Sequence, residues 1–412
     1  MTPIAGTSSD GTASRVPPMW PMDNPVRAYD WGSTTVLAAL QGRSPTGAPE
    51  AELWMGAHPV APSLLVLPEG SRPLPDVIAD DPGVLLGDDV HERFGPRLPF
   101  LLKVLAIAQP LSVQVHPDAE RAHAAYHGDD VSPYVDPFHK PELIYSLAPM
   151  EALYGFRPAD EAAELIAALE APRLKTVLDE LDGTSADPRH AALSALVRWP
   201  AGDRAALVEE VALGCSRLLA SAPVASLGAV GWVQRLVKLH PADPLVVAPL
   251  LLDLVTLPAE STLFVPAGVP HAYLSGCGVE IMAASDNVLR AGLTSKTVAV
   301  EELLHVIDCR ARPDGGTVTE ALSDHEVRWH RDWEEFQLTR IRLDNDPARP
   351  VALHRISGPQ IVLCTRGPIT LHADGAALEL TPGSSAFVSA AAWSVTATGQ
   401  GELFRAAVGI CR

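Results

Sequence analysis

The chain lacks most of the features that mark secreted, membrane-spanning or disulfide-bonded proteins. Its five cysteines are odd in number, widely spaced along 412 residues and free of any C-x-x-C pair, which predicts a reducing compartment. No apolar run is long enough to span a bilayer, and residues 1–17 lack the apolar core of a secretory signal. We therefore expect a cytoplasmic protein with no membrane partner.

Positive charge is scarce as well. The formal net charge of -19 argues against nucleic acid as a partner but leaves room for a small anion in one basic pocket. Lysine occurs at only five positions, and one of them, Lys103, sits inside the apolar run 101–105. Together with Lys140, Lys296 and Arg290 around a divalent cation, it would form an anion-attracting pocket. We therefore expect a phosphorylated small molecule as the ligand.

The local composition and the spacing of apolar residues change along the chain. A length of 412 residues exceeds the roughly 250–300 residues at which a single core stops growing. Short apolar runs with many prolines and glycines predict strands over residues 18–158, 256–319 and 320–412, whereas alanine-rich stretches at helical spacing predict a helical insertion over residues 159–255. Residues 1–17 are small and polar, which predicts a flexible tail. The expected fold class is mainly β with an α-helical insertion.

Three motifs carry side chains of the kind that ligate metals. Gln114 and His116 share one face of an extended strand because alternate side chains point the same way, and so do Lys140 and Glu142. Further along, a P-x-G-x-x-H motif predicts a tight turn that delivers His271. Two neutral imidazoles, a carboxylate and an amide oxygen suit a divalent ion of the zinc type. The motifs therefore predict a catalytic metal site.

Each of these candidate ligands could also have a role that involves no metal. A single buried histidine is more often a hydrogen-bonded core residue than a ligand, and Gln114 can instead orient a neighbour through a hydrogen bond. Glu142 can be a surface carboxylate, but it stands between Pro141 and the apolar residues 143–145, where an unpaired charge is costly to bury. A bound cation removes that cost, so the three motifs together favour the metal site.

Six segments stand out along the chain: Ala51-Glu-Leu-Trp-Met-Gly-Ala-His-Pro, Leu98-Pro-Phe-Leu-Leu-Lys-Val-Leu, Leu111-Ser-Val-Gln-Val-His-Pro-Asp, His139-Lys-Pro-Glu, Pro266-Ala-Gly-Val-Pro-His-Ala-Tyr-Leu-Ser-Gly and Ala283-Ala-Ser-Asp-Asn-Val-Leu-Arg-Ala-Gly-Leu-Thr-Ser-Lys. In this order they resemble the signature segments of the type I mannose-6-phosphate isomerase family. The resemblance implies a cupin-type fold. Its metal-bearing jelly-roll barrel would comprise residues 18–158 and 256–319, with a helical domain at 159–255 and a second cupin-like barrel at 320–412. It also implies one zinc ion held by Gln114, His116, Glu142 and His271.

The resemblance further implies reversible conversion of mannose 6-phosphate to fructose 6-phosphate through an enediol. Arg290 would stabilise the enediolate or hold the substrate, and Lys140 would shuttle a proton once a nearby dication lowers its pKa. Asp286 and Glu280 are rival bases, and the plainer alternative for each is a salt bridge to Arg290. The remaining candidates contact substrate: Ser112, Lys103 and Lys296 for the phosphate, and Tyr273, which shares the strand face of His271.

Two other classes of function stay open. One is a metal-dependent cupin enzyme of another activity, such as an oxygenase, because the barrel supports many chemistries and a face of two histidines and one carboxylate suits iron. The other is a non-enzymatic protein that binds a sugar phosphate without turning it over. The lysines and Arg290 argue against the first, and the complete ligand set argues against the second. We expect the chain to act as a monomer.

Overall fold

The structure is a computed structural model that describes residues 17–128, 132–221, 228–310, 317–344 and 349–411. Two β-rich parts enclose a run of helices in the middle of the chain. The predicted fold class, mainly β with an α-helical insertion, is confirmed. The predicted flexible tail, residues 1–17, lies outside the described residues except for Pro17. Among the described helices, none has the length and apolar content needed to cross a membrane.

The first part of the chain alternates strands with short helices. Its strands are β1 (Met19–Asp23), β2 (Val26–Arg27), β3 (Glu52–Gly56), β4 (Leu64–Leu67), β5 (Gly70–Pro73), β6 (Phe100–Ile107), β7 (Val113–Val115), β8 (Glu142–Ser146) and β9 (Met150–Phe156). Its helices are α1 (Val36–Leu40), α2 (Leu74–Asp80), α3 (Pro82–Leu86), α4 (Asp88–Phe94) and α5 (Ala119–Tyr126). The sequence predicts only strands and turns here, because helices of five to eight residues complete too few turns to show helical periodicity.

Helices fill the middle of the chain. They are α6 (Ala159–Ala167), α7 (Lys175–Leu181), α8 (Pro188–Val197), α9 (Arg204–Ser221), α10 (Gly228–Leu239) and α11 (Ala248–Leu251). Local signals set their ends: α8 begins after Asp187, whose carboxylate accepts hydrogen bonds from the backbone N–H groups of Arg189 and His190, with Pro188 in the first turn. Their buried faces share one apolar core with Val113 and Val115 of β7, so the helices pack directly beside the predicted metal site.

The chain then returns to strands. They are β10 (Leu252–Leu257), β11 (Thr262–Val265), β12 (His271–Ala283), β13 (Leu289–Gly292), β14 (Val318–Ala321), β15 (Glu326–His330), β16 (Gln337–Leu343), β17 (Val351–Ala352), β18 (Gln360–Arg366), β19 (Ile369–Ala373), β20 (Ala376–Leu380), β21 (Ser385–Val388), β22 (Val395–Gly399) and β23 (Gly401–Ala407). One helix, α12 (Val300–Val306), separates β13 from β14.

Strand β12 is the centre of the first β-rich part. It is 13 residues long and pairs antiparallel with β6, β7, β8 and β9. Because side chains alternate along a strand, Glu280 faces the interior of this part, where it lies opposite Lys103, while Val279 and Ile281 face a second apolar core. That core also holds Phe387 and Phe404 from the C-terminal strands, so one strand joins the two β-rich parts.

The C-terminal β-rich part includes strands from the start of the chain. A nine-stranded sheet runs in the order β14-β15-β16-β23-β18-β21-β1-β4-β5, and a four-stranded sheet runs β17-β22-β19-β20. In the first of these sheets Met19 pairs with Val388, more than 360 residues later in the chain. The division of the sequence into consecutive segments does not predict this strand pairing, because pairing between residues so far apart in the chain leaves no local sequence pattern.

A buried ion pair lies inside the C-terminal part. Arg405 and Glu326 are each only 1% exposed, with 2.7 Å between guanidinium nitrogen and carboxylate oxygen, and Arg405 also donates to the carbonyl oxygen of His354. Burial lowers the pKa of Arg405 to about 10, which leaves it charged at neutral pH. The interior of the C-terminal part therefore contains a buried pair of opposite charges.

We expect Glu326→Ala to destabilise the C-terminal part by about 3–5 kcal/mol, because the substitution leaves the Arg405 charge buried without a counter-charge. Chemical denaturation followed by tryptophan fluorescence measures the change. Glu301→Ala is the control, since it removes one partner of the exposed Arg198–Glu301 pair and should leave the midpoint unchanged. Equal midpoints for the two variants would contradict the proposed importance of the buried pair.

Candidate metal centre

Three strands of the first β-rich part bring two histidines and a carboxylate together. His271 opens β12 and lies opposite Gln114 of β7, while Glu142 opens β8 and lies opposite Met282 of β12. His116 follows β7 directly. The ligand atoms of His116, Glu142 and His271 all lie within 4.8 Å of one another, and all three residues are buried. The structure thus gathers three of the predicted ligands at one point.

Hydrogen bonds fix how the two imidazole rings are protonated. The Nδ1 atom of His116 lies 2.9 Å from the carbonyl oxygen of Asn287, and the Nδ1 atom of His271 lies 3.0 Å from that of Val269. A carbonyl only accepts, so Nδ1 carries the proton in both rings, and in the neutral form of each ring Nε2 presents a lone pair. Burial lowers the pKa of His116 to about 4, so its ring is neutral.

Both lone pairs face the same carboxylate. The Nε2 atom of His116 lies 3.3 Å from Glu142 Oε1, and that of His271 lies 3.6 Å from Glu142 Oε2. Among the described residues, the buried Nε2 of His116 has no hydrogen-bond partner. Lone pairs and a carboxylate repel one another unless a cation lies between them. The arrangement therefore fits a divalent cation.

Gln114 completes the set of donors. Its Nε2 atom donates to the hydroxyl oxygen of Ser112 at 3.1 Å, which leaves the amide oxygen free. Gln114 lies on β7 directly opposite His271 and lines the same cavity. The Gln114 side chain therefore forms the hydrogen bond to a neighbour that the alternative without a metal requires. Its amide oxygen can still ligate an ion.

Charged groups surround the cluster on the inner face of the sheet. Lys140 Nζ lies 3.0 Å from Glu142 Oε1, and Lys103 Nζ lies 3.3 Å from Glu280 Oε2 and 3.7 Å from Glu52 Oε2. Burial opposes ionisation of Glu142, but the charge of Lys140 holds its pKa well below the usual value. Burial, followed by repulsion from Glu142, raises the pKa of Glu280 to about 7, although Lys103 acts in the opposite direction.

These side chains line a cavity of about 60 Å³, which is enough for an ion and a few water molecules. Eight predicted site residues border it: Lys103, Ser112, Gln114, Lys140, Glu142, His271, Tyr273 and Glu280. The Tyr273 hydroxyl is buried and has no hydrogen-bond partner among the described residues. Burial and the nearby carboxylates of Glu280 and Glu142 raise the pKa of Tyr273 well above its usual value, so this hydroxyl keeps its proton.

Four predicted site residues are absent from the lining of this cavity: His116, which belongs to the ligand cluster, and Arg290, Asp286 and Lys296. Arg290 lies opposite Gln114 on β13 and is half-buried, with no ion pair among the described residues; burial lowers its pKa, and Tyr29 acts in the opposite direction. Asp286 pairs with His58, and Lys296 is exposed beside a second cavity. Because Asp286 pairs with His58 and Glu280 with Lys103, the alternative that either carboxylate forms a salt bridge to Arg290 is wrong.

Two residues at the site are not predicted from the sequence. Glu52 borders the cavity, approaches Lys103, and accepts a hydrogen bond from the indole N–H of Trp54. His58 has no ligand spacing, yet its side chain is buried and its Nε2 atom lies 3.2 Å from Asp286 Oδ2. Both residues belong to the segment 51–59 that carries the family resemblance, which is the only sequence signal that points to them.

The hydrogen bond between His58 and Asp286 has a defined donor and acceptor. The backbone N–H of Val60 donates to His58 Nδ1 at 3.3 Å, so in the neutral ring the proton is on Nε2 and is donated to Asp286. This hydrogen bond is the largest cause that lowers the pKa of Asp286. A carboxylate with a lowered pKa stabilises the folded state above the ordinary aspartate pKa and loses that effect as the pH falls through its folded-state pKa.

We expect His58→Leu to raise the pKa of Asp286 toward the ordinary aspartate value, because the substitution removes the donor while keeping the volume. His58→Gln, which can still donate from its amide, should raise it less. Carbon-13 NMR titration of the aspartate carboxyl groups measures the pKa. His123→Leu, at an exposed histidine, is the control, and an Asp286 pKa that is the same in all variants would contradict the pairing.

Known proteins resemble the chain over nearly its whole length. The mannose-6-phosphate isomerase of Escherichia coli (strain K12) is 35% identical over 403 residues, which cover 93% of this chain and 97% of that protein. The mannose-6-phosphate isomerase of Saccharomyces cerevisiae is 30% identical over 404 residues, covering 89% of this chain and 93% of that protein.

Solved structures agree with the sequence relatives. A zinc-bound crystal structure of mannose 6-phosphate isomerase superposes with a TM-score of 0.85 at 31% identity, covering 95% of this chain and all of that chain. A variant of phosphomannose isomerase from Salmonella typhimurium gives a TM-score of 0.86 with the same coverage and identity. Residues 19–159 match the family model described as the catalytic domain of type I phosphomannose isomerase. The chain therefore belongs to the type I phosphomannose isomerase family.

Proposed function

We propose that the chain interconverts mannose 6-phosphate and fructose 6-phosphate at one zinc ion. The observation that carries this proposal is the pair of Nδ1-protonated imidazoles whose Nε2 lone pairs face the Glu142 carboxylate at 3.3 and 3.6 Å. Homologues with this activity and a zinc-bound relative supply the substrate and the metal. The aldehyde and ketone forms of the sugar differ by a proton moved between two adjacent carbons, through an enediol.

The donors fit zinc. His116 and His271 offer neutral nitrogen, Glu142 offers a carboxylate oxygen and Gln114 an amide oxygen, which together resemble a catalytic zinc site in which protein ligands leave a position open. When bound, zinc polarises or orients the sugar oxygens. The carbonyl groups of Asn287 and Val269 hold the two imidazole rings in the tautomer that binds metal.

Glu280 is our proposed proton-transfer base. Its pKa of about 7 allows it to accept a proton from carbon and return it at neutral pH, which is the condition for an efficient general base. Lys103, which also pairs with Glu52, holds Glu280 in place. Lys140 borders the cavity 3.0 Å from Glu142 and would donate to a sugar oxygen as negative charge develops there.

Arg290 and Ser112 are our proposed contacts to the anionic parts of the substrate. Arg290 has no carboxylate partner among the described residues and sits on the strand beside Gln114, so its charge is available to the enediolate or the phosphate. Ser112 lines the cavity and accepts from Gln114, which leaves its hydroxyl hydrogen for substrate. Lys103 is already paired with two carboxylates, so we assign it to positioning Glu280 rather than to the phosphate.

Asp286 is our second choice of base. It is 47% exposed on its side chain and pairs with His58 outside the cavity lining, whereas Glu280 borders the cavity. We also propose that the chain works as a monomer in the cytoplasm. Every donor in the set belongs to one chain, and all five cysteines are free thiols, as a reducing compartment favours.

A coupled assay of mannose 6-phosphate conversion tests the proposed function. We expect turnover in the zinc-loaded protein, loss of activity after chelation and recovery on adding zinc, because the Glu142 site needs a cation. His116→Ala should lose both zinc and activity, whereas His123→Ala, at an exposed histidine, should keep both. If zinc-loaded protein bound mannose 6-phosphate without converting it, the protein would be a sugar-phosphate sensor; if it did neither, another cupin activity would remain.

The pH profile tests the role of Glu280. Because its carboxylate form must accept the proton, we expect kcat/KM to rise with pH through an apparent pKa near 7. Glu280→Gln should lower kcat by about 100-fold or more, the scale of general-base catalysis, while still binding zinc. Asp286→Asn is the matched comparison. Full turnover in Glu280→Gln, together with loss of turnover in Asp286→Asn, would assign the base to Asp286 instead.

A further inference from the structure

One buried residue of the loop between β12 and β13 contacts two separate parts of the metal centre. Asn287 is only 1% exposed and does not line the metal cavity. Its backbone carbonyl oxygen lies 2.9 Å from Nδ1 of His116 and so holds that imidazole in the tautomer that binds metal. Its side chain contacts a different segment, residues 135–138.

The side-chain amide of Asn287 forms hydrogen bonds in both directions with this segment. The amide nitrogen donates to the carbonyl oxygens of Asp136 at 2.7 Å and Phe138 at 2.8 Å. The amide oxygen accepts from the backbone N–H of Val135 at 2.9 Å. An amide supplies both donors and an acceptor from one rigid group, so a side chain without it would leave these backbone groups without their partners.

The carboxylate of Asp136 returns hydrogen bonds to the same loop. Its Oδ1 atom accepts from the Ser285 hydroxyl at 2.9 Å and from the Asn287 amide at 3.1 Å. Its Oδ2 atom accepts from the backbone N–H of Asp286 at 2.9 Å. Because each segment both donates to and accepts from the other, a shift of either one would break several hydrogen bonds at once.

The segment held by Asn287 leads directly to the second metal ligand. Lys140 follows Phe138 by two positions, and Glu142 opens β8 two positions later. Strand β7 pairs with β12 and β13, whereas β8 pairs with β11 and β12. The described strands therefore offer no direct ladder between His116, which follows β7, and Glu142. Asn287 supplies a short connection between them.

We propose that Asn287, together with Asp136, is a positioning residue for the metal centre. The carbonyl oxygen of Asn287 holds His116, and its side chain holds the segment that carries Lys140 and Glu142, so the two ligands keep a fixed separation. This inference rests on the zinc site of the proposed function but not on its sugar substrate. It also gives a role to Asn287 within the segment 283–296, whose other polar residues include Asp286 and Arg290.

Zinc affinity, measured without substrate by competition with a chelating dye, tests the proposal. We expect Asn287→Ala to weaken zinc binding by about tenfold or more, the scale seen when partners of metal ligands are removed. Asp136→Ala should give a similar loss. The double variant should lose little more than the weaker single variant, because both substitutions remove the same connection. Glu326→Ala is the control, since we expect it to destabilise the C-terminal part without affecting zinc.

A conservative variant and a spectroscopic signal separate positioning from general loss of stability. Asp136→Asn keeps the volume and one acceptor oxygen, so it should retain more zinc affinity than Asp136→Ala. Nitrogen-15 NMR of the zinc-loaded protein should show the Nδ1–H of His116, identified by its absence in His116→Ala. This resonance should shift in Asn287→Ala and stay in place in Glu326→Ala.

Two results would overturn the proposal. The first is wild-type zinc affinity in Asn287→Ala, or an equal loss of affinity in Glu326→Ala. The second is a double variant whose loss is the sum of the two single losses, because Asn287 and Asp136 would then act independently. If the wild type bound zinc through this arrangement but did not convert mannose 6-phosphate, the proposed function would fail while the positioning role would stand.

Discussion

The site depends on the register of strand β12 and on its irregularity between Tyr273 and Ser275, because His271 and Glu280 border one cavity although strict alternation would place them on opposite faces. One face of this strand carries Glu280 toward the cavity, and His271 opens the strand beside Gln114. The other face carries Val279 and Ile281 into the core that both β-rich parts share. Since a shift of one residue would turn Glu280 toward that core, the packing between the two parts also fixes the geometry of the site. The C-terminal part thus contributes to the site by holding this register.

Burial and neighbouring charges together set the pKa values of the two carboxyl groups in the cavity. The Glu142 carboxylate keeps its charge because Lys140 lies beside it, whereas burial, followed by repulsion from Glu142, raises the pKa of the Glu280 carboxyl to about 7. Their different environments suit different roles, and we propose Glu142 as the ligand and Glu280 as the base. The C-terminal part uses its buried charge differently, since Arg405 and Glu326 pair with each other.

Much of the site could be predicted from short motifs, because its ligands lie on or next to strands whose alternation is visible in the sequence. His116, Glu142 and His271 meet as expected, and Gln114 lies beside them. Residues whose role comes from distant pairing could not be found in this way. His58 depends on a partner 228 residues later, and Glu52 depends on Lys103 in a neighbouring strand. Lys296 stays a predicted phosphate contact, and it lies beside a different cavity from the one that Glu142 and His271 border.

The most direct test of the account is X-ray absorption spectroscopy of the zinc-loaded protein at the zinc edge. The tautomers of His116 and His271, together with the oxygen donors of Glu142 and Gln114, predict a shell of nitrogen and oxygen only, with the outer-shell scattering of two imidazole rings. His116→Ala should remove one of those rings from any zinc that remains bound. A sulfur shell, or a spectrum without imidazole scattering, would contradict the proposed ligand set and with it the chemistry built on this site.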